Sequence, residues 1–261
     1  MKHVAWFAAL VGAGCSLGER SDDGVRNTAT LPDASATDTR NADASTLACE
    51  GSAAGSAAAA ITISGTADTV SLTGGMTPTS GVSLAMVDVA SGSAVATTGP
   101  TGSEGTWSFA DEPTGGSALD VYLSASKTGE RPTYIYPAAS LVADQPNVPV
   151  VMLSTAQLGE ITLLGAPKQQ TGLGLLLVEV QDCAGSALGS ADLVVEQNGS
   201  AVTSATVLEL SKFSASLAGT FGVWNVPPGE TTVGATLGSA TLASHVVTAV
   251  ADADTETQVV P

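Results

Sequence analysis

A stretch of sequence that occurs twice in this chain begins with Gly105-Thr106-Trp107-Ser108-Phe109. A turn and the alternating run Leu119-Asp120-Val121-Tyr122-Leu123 follow it. The second copy is Gly219-Thr220-Phe221-Gly222-Val223, followed by Pro227-Pro228-Gly229 and Thr231-Thr232-Val233. A turn glycine, an alternating strand that opens with an aromatic residue, a proline–glycine corner and another strand are typical of a β-hairpin unit. Two such units predict two related β-domains.

Composition narrows the possible functions. Lys and Arg number 8 against 25 Asp and Glu, so the 261-residue chain carries a formal net charge of −17. This balance argues against nucleic acid and anionic lipid headgroups as partners, because both repel an acidic surface. It leaves open either a solvated acidic face or attraction to cations and basic surfaces. Only 4% of residues are aromatic, which suits small, turn-rich β-domains better than a large cofactor pocket, so we expect no cofactor.

The N-terminus has the pattern of an export signal. The chain starts with the short basic segment Met1-Lys2-His3, and an unbroken apolar run extends from Val4 to Val11. This run is too short to span a bilayer as a mature helix. The small residues Gly12-Ala13-Gly14 then precede Cys15. We therefore interpret residues 1–14 as a signal peptide.

The residues before Cys15 also resemble a bacterial lipoprotein signal, in which small residues directly precede a cysteine that becomes lipidated. Ala13 and Gly14 match, whereas Gly12 stands where that family usually has Leu or Val. The resemblance implies lipidation of Cys15 and a membrane partner held through acyl chains. Ser16 stands where an aspartate would signal inner-membrane retention, so the resemblance implies the outer membrane or cell surface. Ordinary cleavage would instead give a secreted or periplasmic protein.

The rest of the chain divides into a tether, two domains and a connector. Residues 15–59 are rich in Ser, Ala, Thr and Asp without apolar periodicity, which predicts a disordered acidic tether. Alternating runs separated by turns predict one β-sandwich over 60–153 and another over 174–261. In the connector, 154–173, a capping-box pattern at Ser154 predicts a short helix.

Three further strand and turn signals lie in the second domain. The segment from Gly174 to Gln181 is almost wholly apolar at its start, as expected of a strand buried on both faces. The pair Asn198-Gly199 predicts a two-residue hairpin turn. Thr257-Gln258-Val259-Val260 is predicted to be the last strand.

Two phrases of the second domain form a family pattern. They are a strand with an Asp–Gly turn and a later Asn-Val-Pro-Pro-Gly corner, carried by Val178-Glu179-Val180, Asp182, Gly185, Leu188, Gly189 to Val195 and Gly219 to Gly229. The pattern resembles a carboxypeptidase regulatory-like domain, although Ala187 and Thr231 stand where that family often has proline and tyrosine. The first domain shares less of it, at Ser80 to Leu84 and Gly105 to Phe109. The resemblance implies a seven-stranded, transthyretin-like (prealbumin-like) β-sandwich with a noncatalytic accessory, adhesive or structural role.

Catalytic side chains are scarce. The chain has two histidines, His3 in the signal and His245 in a predicted strand. A zinc peptidase site needs several His and Glu ligands, and a Ser-His-Asp triad would depend on His245 alone. We therefore expect a structural role for His245, no metal, no catalytic residue and no enzyme activity.

The cysteines suggest a crosslink. After Cys15, only Cys49 and Cys183 remain. Disulfides persist in the compartments that an exported protein reaches, so a Cys49–Cys183 bridge is one hypothesis. Two separate thiols and a crosslink to another chain are the alternatives. The bridge would pin the end of the tether against the second domain.

Several residues are candidates for binding. Asp252, Asp254 and Glu256 alternate before the last strand and could supply part of a Ca²⁺ site, but we interpret them as a solvated edge that resists strand addition. Trp224 is predicted on the opposite face of its strand from Phe221 and Val223. It could therefore stack on a sugar or pack against the first domain. Tyr134 and Tyr136 share one face of a strand and are further candidates for stacking on a ligand.

The sequence as a whole predicts an all-β chain with two tandem transthyretin-like β-sandwiches behind a signal peptide and a tether. The leading function is noncatalytic: a lipid-anchored cell-envelope protein that displays β-sandwich modules for adhesion or envelope scaffolding. The alternative is a polysaccharide-binding module at the cell surface. A protein or a polysaccharide is the expected partner, and the sequence does not predict the oligomeric state.

Overall fold

The computed structural model describes residues 55–71, 75–213 and 217–261 together with Leu47. These residues form an all-β protein with seventeen strands and one α-helix, as the sequence predicts. The predicted signal peptide and most of the predicted tether, including Cys15 and Cys49, lie outside the described residues. In the described ranges, no helix is long and apolar enough to cross a membrane.

The first domain contains strands β1 to β8. Their bounds are β1 (Ala60–Ser71), β2 (Gly75–Pro78), β3 (Ser83–Asp88), β4 (Ala94–Thr97), β5 (Thr106–Pro113), β6 (Val121–Ser126), β7 (Thr133–Tyr136) and β8 (Gln145–Met152). Strand β1 pairs antiparallel with β2 and β5 and parallel with β8, and these four strands are called the first sheet. Strands β7, β6, β3 and β4 pair antiparallel in that order. The core between these two layers includes Ile63, Leu84, Trp107, Leu123 and Val148.

A short helix connects the domains. Helix α1 spans Thr155–Leu163, and its capping box is the one that the sequence predicts. The Gln157 backbone N–H donates to Ser154 Oγ at 3.2 Å, and the Ser154 backbone N–H donates to Gln157 Oε1 at 2.7 Å. These two bonds satisfy donors that a helix N-terminus otherwise leaves free.

The second domain contains strands β9 to β17. Their bounds are β9 (Gly174–Val180), β10 (Asp192–Gln197), β11 (Ser200–Ala201), β12 (Thr206–Glu209), β13 (Thr220–Val226), β14 (Gly229–Leu237), β15 (Ala240–Thr241), β16 (His245–Ala249) and β17 (Asp254–Val259), with a short 3-10 helix at Leu210–Lys212. Strand β14 pairs with β10 on one side and with β15 and β16 on the other, and β11 adds to β10. These five strands are called the third sheet, because a second sheet lies between them and the first sheet.

An eight-stranded sheet runs through both domains and is called the shared sheet. Its strand order is β12-β13-β9-β17-β7-β6-β3-β4, so four strands come from each domain. Strand β17 joins the two halves because it pairs in parallel with β9 of its own domain and with β7 of the first domain. Residues Ile135 and Tyr136 of β7 belong to different cores, that of the first domain and that of the second. The first sheet and the third sheet therefore cover opposite faces of the shared sheet.

The repeated stretch does not form the hairpins that the sequence predicts. Gly105 (φ 65°) and Gly219 (φ 75°) directly precede β5 and β13, so the repeat and its strands are confirmed. The hairpin prediction is wrong, because β5 lies in the first sheet and β6 in the shared sheet, while β13 lies in the shared sheet and β14 in the third. Each unit is an arch that crosses a core. Alternation shows that a strand has one buried face, but it does not show which strand lies beside it.

Two other strand predictions are confirmed. Strand β9 is buried along both faces, and Leu177 is its one partly exposed residue. The turn between β10 and β11 has Asn198 at φ 52° and Gly199 at φ 70°. Two successive positive φ values are those of the tight turn that suits the twist of a two-residue hairpin.

Candidate functional site

One face of the shared sheet is accessible where the first domain contributes its strands. Thr97, Ala85, Ser124 and Tyr134 form a row across β4, β3, β6 and β7 in the register of the sheet. Thr97 is exposed, and the other three are partly exposed. The opposite face of the same strands is buried against the first sheet, so this row lies on the outer face.

The three tyrosines of the chain cluster on this outer face. The rings of Tyr122 and Tyr136 stack with their centroids 4.8 Å apart and their planes 18° apart. Tyr134 lies 6.1 Å from Tyr122 with its ring tilted by 56°. Tyr136 is buried, whereas Tyr122 and Tyr134 are partly exposed. Burial raises the pKa of the Tyr122 and Tyr136 phenols, so both rings are neutral at physiological pH.

Tyr122 is the member of this cluster that the sequence analysis missed. Tyr134 and Tyr136 share a face, as predicted, because they stand two residues apart on β7. A signal for Tyr122 was present in the sequence, since it alternates with Val121 and Leu123, which enter the core. That alternation places Tyr122 on the outer face, but only the pairing of β6 with β7 brings it to Tyr136.

Strand β16 lies next to the tyrosine cluster, because Tyr136 interacts with Thr248 of that strand, and it is called the wall. Thr255 Oγ1 of β17 donates to the Thr248 carbonyl oxygen at 2.9 Å, which holds β16 over β17. Among the described residues β16 pairs only with β14, so its other edge is unpaired by any strand. Val246 and Thr248 are exposed on it. The outer-face row, Tyr122 and the β16 edge together are called the tyrosine groove.

His245 has a structural contact at the base of this wall. Its Nε2 lies 2.5 Å from Thr257 Oγ1, and that hydroxyl donates to the Tyr136 carbonyl oxygen at 3.0 Å. Because the Thr257 proton is used in this way, the imidazole Nε2 is the donor to Thr257. Burial lowers the pKa of His245, which favours the neutral ring. The histidine therefore ties β16 to β17 and to β7.

The other face of β17 carries buried carboxyl groups. Asp254 and Glu256 are fully buried, and Glu179 on the neighbouring β9 is 6% exposed. Arg131 Nε donates to Asp254 at 2.8 Å, and its Nη2 donates to the Ala253 carbonyl oxygen at 2.8 Å. The ion pair thus links the β6–β7 loop of the first domain to β17.

Burial dominates the charge state of these carboxyl groups. It raises the pKa of Asp254 to about 6, against the opposing effect of Arg131, and the pKa of Glu179 to about 7. Burial, and then the charge of Asp254, raises the pKa of Glu256 well above its usual range. The folded protein therefore favours protonated carboxyl groups on this face at mildly acidic pH.

The prediction of a solvated acidic edge at this strand is wrong. Strand β17 is the fourth of eight strands in the shared sheet, and every one of its residues is buried. Its second edge is covered because β7 of the first domain pairs with it. The three acids of the calcium hypothesis also separate: Asp252 is exposed and accepts from the Gly172 backbone N–H at 2.9 Å, while Asp254 is engaged by Arg131. The described part of the chain has no group of three or more side chains that could hold a metal ion.

Trp224 is not available for stacking on a sugar. Its side chain is 2% exposed and packs with Leu153, Leu158 and Leu175. These partners come from the end of the first domain, from α1 and from β9, so the tryptophan helps to join the domains. The ligand-stacking role predicted for Trp224 is wrong, because the ring is buried, and its cluster includes Leu153, the last residue of the predicted first domain.

Of the two cysteines in the predicted disulfide, Cys183 lies within the described residues and Cys49 does not. Cys183 is disulfide-bonded, and its partner lies outside the described residues. Leu47, two residues before Cys49, packs against the core of the second domain. The Cys49–Cys183 pairing therefore stays a prediction, and so does lipidation of Cys15.

A concavity lies between the domains on the side of α1. It has a volume of about 460 Å³ and is lined by Glu130, Arg131, Pro132, Thr155, Leu158, Gly159, Thr162, Lys168, Gln169, Gln170, Thr171 and Asp252. Acidic and basic side chains are mixed on its walls. Its charge therefore selects no class of ligand.

Comparisons with known proteins give structural neighbours and no family. No family model matches the sequence, and no curated protein matches it either. Among solved structures, the chain is similar to the shaft pilin SpaA from Lactobacillus rhamnosus GG, with 13% identity, 77% of this chain and 98% of that chain covered, and a TM-score of 0.25.

Two further structures match at the same level. The Bacillus anthracis TIE protein has 12% identity, with 77% of this chain and 34% of that chain covered and a TM-score of 0.26. A streptococcal ancillary pilin has 14% identity, with 77% and 62% covered and a TM-score of 0.24. Scores this low do not extend the properties of those proteins to this chain. The resemblance to carboxypeptidase regulatory-like domains stays a prediction.

Proposed function

We propose that the protein is a noncatalytic, lipid-anchored cell-envelope module in which two β-sandwiches act as one rigid body in adhesion or envelope scaffolding. The observation that carries the proposal is strand β17, which pairs with β9 on one edge and β7 on the other. Moving one domain against the other would break a ladder of backbone hydrogen bonds and expose buried carboxyl groups. A rigid body suits display of a surface at a fixed distance and orientation.

Two contacts, one on each face of β17, support this rigidity. On one face the Arg131–Asp254 ion pair crosses from the first domain to the second. On the other, Thr257 Oγ1 donates to the Tyr136 carbonyl oxygen, which is also a contact between domains. The packing of Trp224 with Leu153 and Leu158 adds an apolar contact at the same junction.

The location in the envelope rests on residues 1–15 and on the acidic balance of the chain. A lipid on Cys15 would anchor a protein whose net charge of −17 gives it no attraction to anionic headgroups. Protease accessibility on intact cells tests this location, with the native chain compared with Cys15→Ala. We expect the native protein to be membrane-bound and removed by external protease, and the variant to be released. A native protein that stays protected inside the envelope would exclude adhesion to external partners and favour a periplasmic scaffold.

A second candidate function, polysaccharide binding, is favoured by one observation. Two of the three aromatic residues proposed for it, Tyr134 and Tyr136, lie in a cluster with Tyr122 on an accessible sheet face. The third, Trp224, is buried and takes no part. Loss of glycan retention on removing a partly exposed tyrosine ring, Tyr122 or Tyr134, is the result expected of this function.

A further inference from the structure

We infer that the tyrosine groove binds a neutral polysaccharide, with the rings of Tyr122 and Tyr134 as its stacking surfaces. This inference rests on the second candidate function and does not depend on the lipid anchor. It assigns both the residues and the chemical class of the ligand.

The first argument is the absence of charge from the groove floor. Within β3, β4, β6 and β7, the outer-face positions fixed by the pairing register are Ser83, Ala85, Val87, Ala94, Thr97, Tyr122, Ser124, Ser126, Tyr134 and Tyr136. None of them has an acidic or basic side chain of the Asp, Glu, Lys, Arg or His type, although the chain as a whole carries a net charge of −17. The nearest acid along β6, Asp120, is exposed two residues before Tyr122 and so lies at the rim of the same face, where it would repel an acidic ligand. An acidic polysaccharide would gain no cationic partner on this floor, so a neutral one fits better.

The second argument is the arrangement of the rings. Tyr136 is buried and stacks on Tyr122, which fixes the Tyr122 ring in place. Tyr134 is tilted by 56° to Tyr122 with 6.1 Å between centroids, so the two partly exposed rings present separate faces. Fixed aromatic faces lose little conformational freedom on binding, and the apolar faces of sugar rings can lie on them.

The third argument is the supply of hydrogen-bonding groups around the rings. The hydroxyls of Ser124 and Thr97 follow Tyr134 along one row of the floor. On the other side the wall offers exposed Thr248 and the strand edge of β16. Binding sites for neutral ligands combine an apolar surface with a few polar groups of this kind. A sugar chain can stack on the tyrosines while its hydroxyls meet groups on both sides.

An extended peptide added to the β16 edge is the competing occupant. A peptide strand would draw its affinity from backbone hydrogen bonds to β16, and its affinity would depend little on the Tyr134 ring. A sugar chain depends on that ring. The response to Tyr134→Ala therefore separates the two.

Affinity electrophoresis of the full chain tests the inference. The gels contain a neutral β-glucan, a neutral α-glucan or alginate as the acidic polysaccharide. We expect retardation in at least one neutral gel, none in alginate, and roughly tenfold weaker binding for Tyr134→Ala and for Tyr122→Ala. Tyr134→Phe keeps the ring and should keep most of the binding. Leu163→Ala is the matched control, because Leu163 is 87% exposed on α1, away from the groove.

Thermal unfolding of each variant checks that lost binding is not lost folding. No retardation in either neutral gel, retardation in alginate alone, or unchanged binding by a folded Tyr122→Ala/Tyr134→Ala double variant would each overturn the inference. Capture of an extended peptide that the double variant retains would replace the glycan with a peptide partner. None of these results bears on protease accessibility at the cell surface, so the anchored-module proposal fails or survives separately.

Discussion

The two domains end in equivalent strands that are used in opposite ways. Strand β8 closes the first domain and pairs in parallel with that domain's first strand, β1. Strand β17 closes the second domain and pairs in parallel with β9, its first strand. Among the described residues β8 has no second strand neighbour, whereas β17 pairs with β7 as well.

The difference follows from two prolines. Strand β8 contains Pro146 and Pro149, which have no backbone N–H to donate, while β17 contains no proline. A proline-bearing strand is confined to the edge of a sheet. The edge of β8 is thereby closed to another strand, and the edge of β17 is open to β7. Strand β8, at a sheet edge, is therefore called the terminal strand, and β17, which joins the two domains, is called the junction strand. Each is the last strand of its domain and pairs in parallel with the first.

The largest expected effect comes from placing a proline in the junction strand β17, as in the terminal strand β8. Thr255→Pro would remove a ladder hydrogen bond from a strand that is paired on both edges, and it would remove the Thr255 hydroxyl that donates to Thr248. We expect a loss of about 4 kcal/mol or more in the free energy of unfolding, measured by urea denaturation. The substitution should also separate the motions of the two domains.

The matched control is the reverse change on the terminal strand. Pro149→Ala restores an N–H where no second strand pairs, so we expect a loss below about 1 kcal/mol, mainly from the freer unfolded chain. Similar losses for Thr255→Pro and Pro149→Ala would contradict the distinction between junction and terminus.

A smaller effect should come from the acids that only the junction carries. The folded-state pKa of Glu179 is about 7, above the ordinary value of 4.5, because the carboxyl is buried. Because this pKa is higher in the folded than in the unfolded state, the free energy of unfolding has its full value below about pH 4.5 and falls as pH rises towards about 7. Asp254 and Glu256 shift in the same direction. The free energy of unfolding should therefore fall over this range, with about 3 kcal/mol as the upper limit from Glu179.

Glu179→Gln isolates this contribution. The amide cannot ionise, so denaturant unfolding at pH 4.5 and pH 8 should show a smaller difference for the variant than for the native chain. Glu230→Gln is the control, since Glu230 is exposed on β14 of the third sheet. Equal pH dependence for both variants would show that net charge, and not the buried junction, sets the response.

The junction also shows what could be predicted from the sequence and what could not. Turn glycines, alternation and the capping box at Ser154 are local signals, and the strands and helix they predicted are present. The order Asp254-Thr255-Glu256-Thr257-Gln258 has the composition of a solvated strand, yet it is fully buried, because a strand from the other domain covers it. Pairing between distant segments leaves no mark in local composition. The same reason hid the meeting of Tyr122 with Tyr136 and the burial of Trp224.

The smallest expected effect tests the repeat that the two domains do share. The carbonyl oxygen of Gly105 accepts from the Ala67 N–H of β1 at 2.8 Å, and that of Gly219 accepts from the Val180 N–H of β9 at 2.9 Å. Both glycines have positive φ, and a Cβ on either would meet backbone atoms too closely, those of Ala67 or of Leu188.

We expect Gly105→Ala and Gly219→Ala each to cost about 2 kcal/mol, from left-handed strain together with the close approach. Gly92→Ala is the control, because Gly92 also has positive φ (66°) but open space around its Cβ position, and we expect about 1 kcal/mol there. Chemical denaturation of the three variants measures the difference. If Gly105 and Gly219 tolerate alanine as well as Gly92 does, the close approach of neighbouring backbone to these two glycines is not what fixes the two arches. Losses that are similar at Gly105 and Gly219 and larger than at Gly92 would mean that the domains share their arch geometry and differ in the strand that follows it.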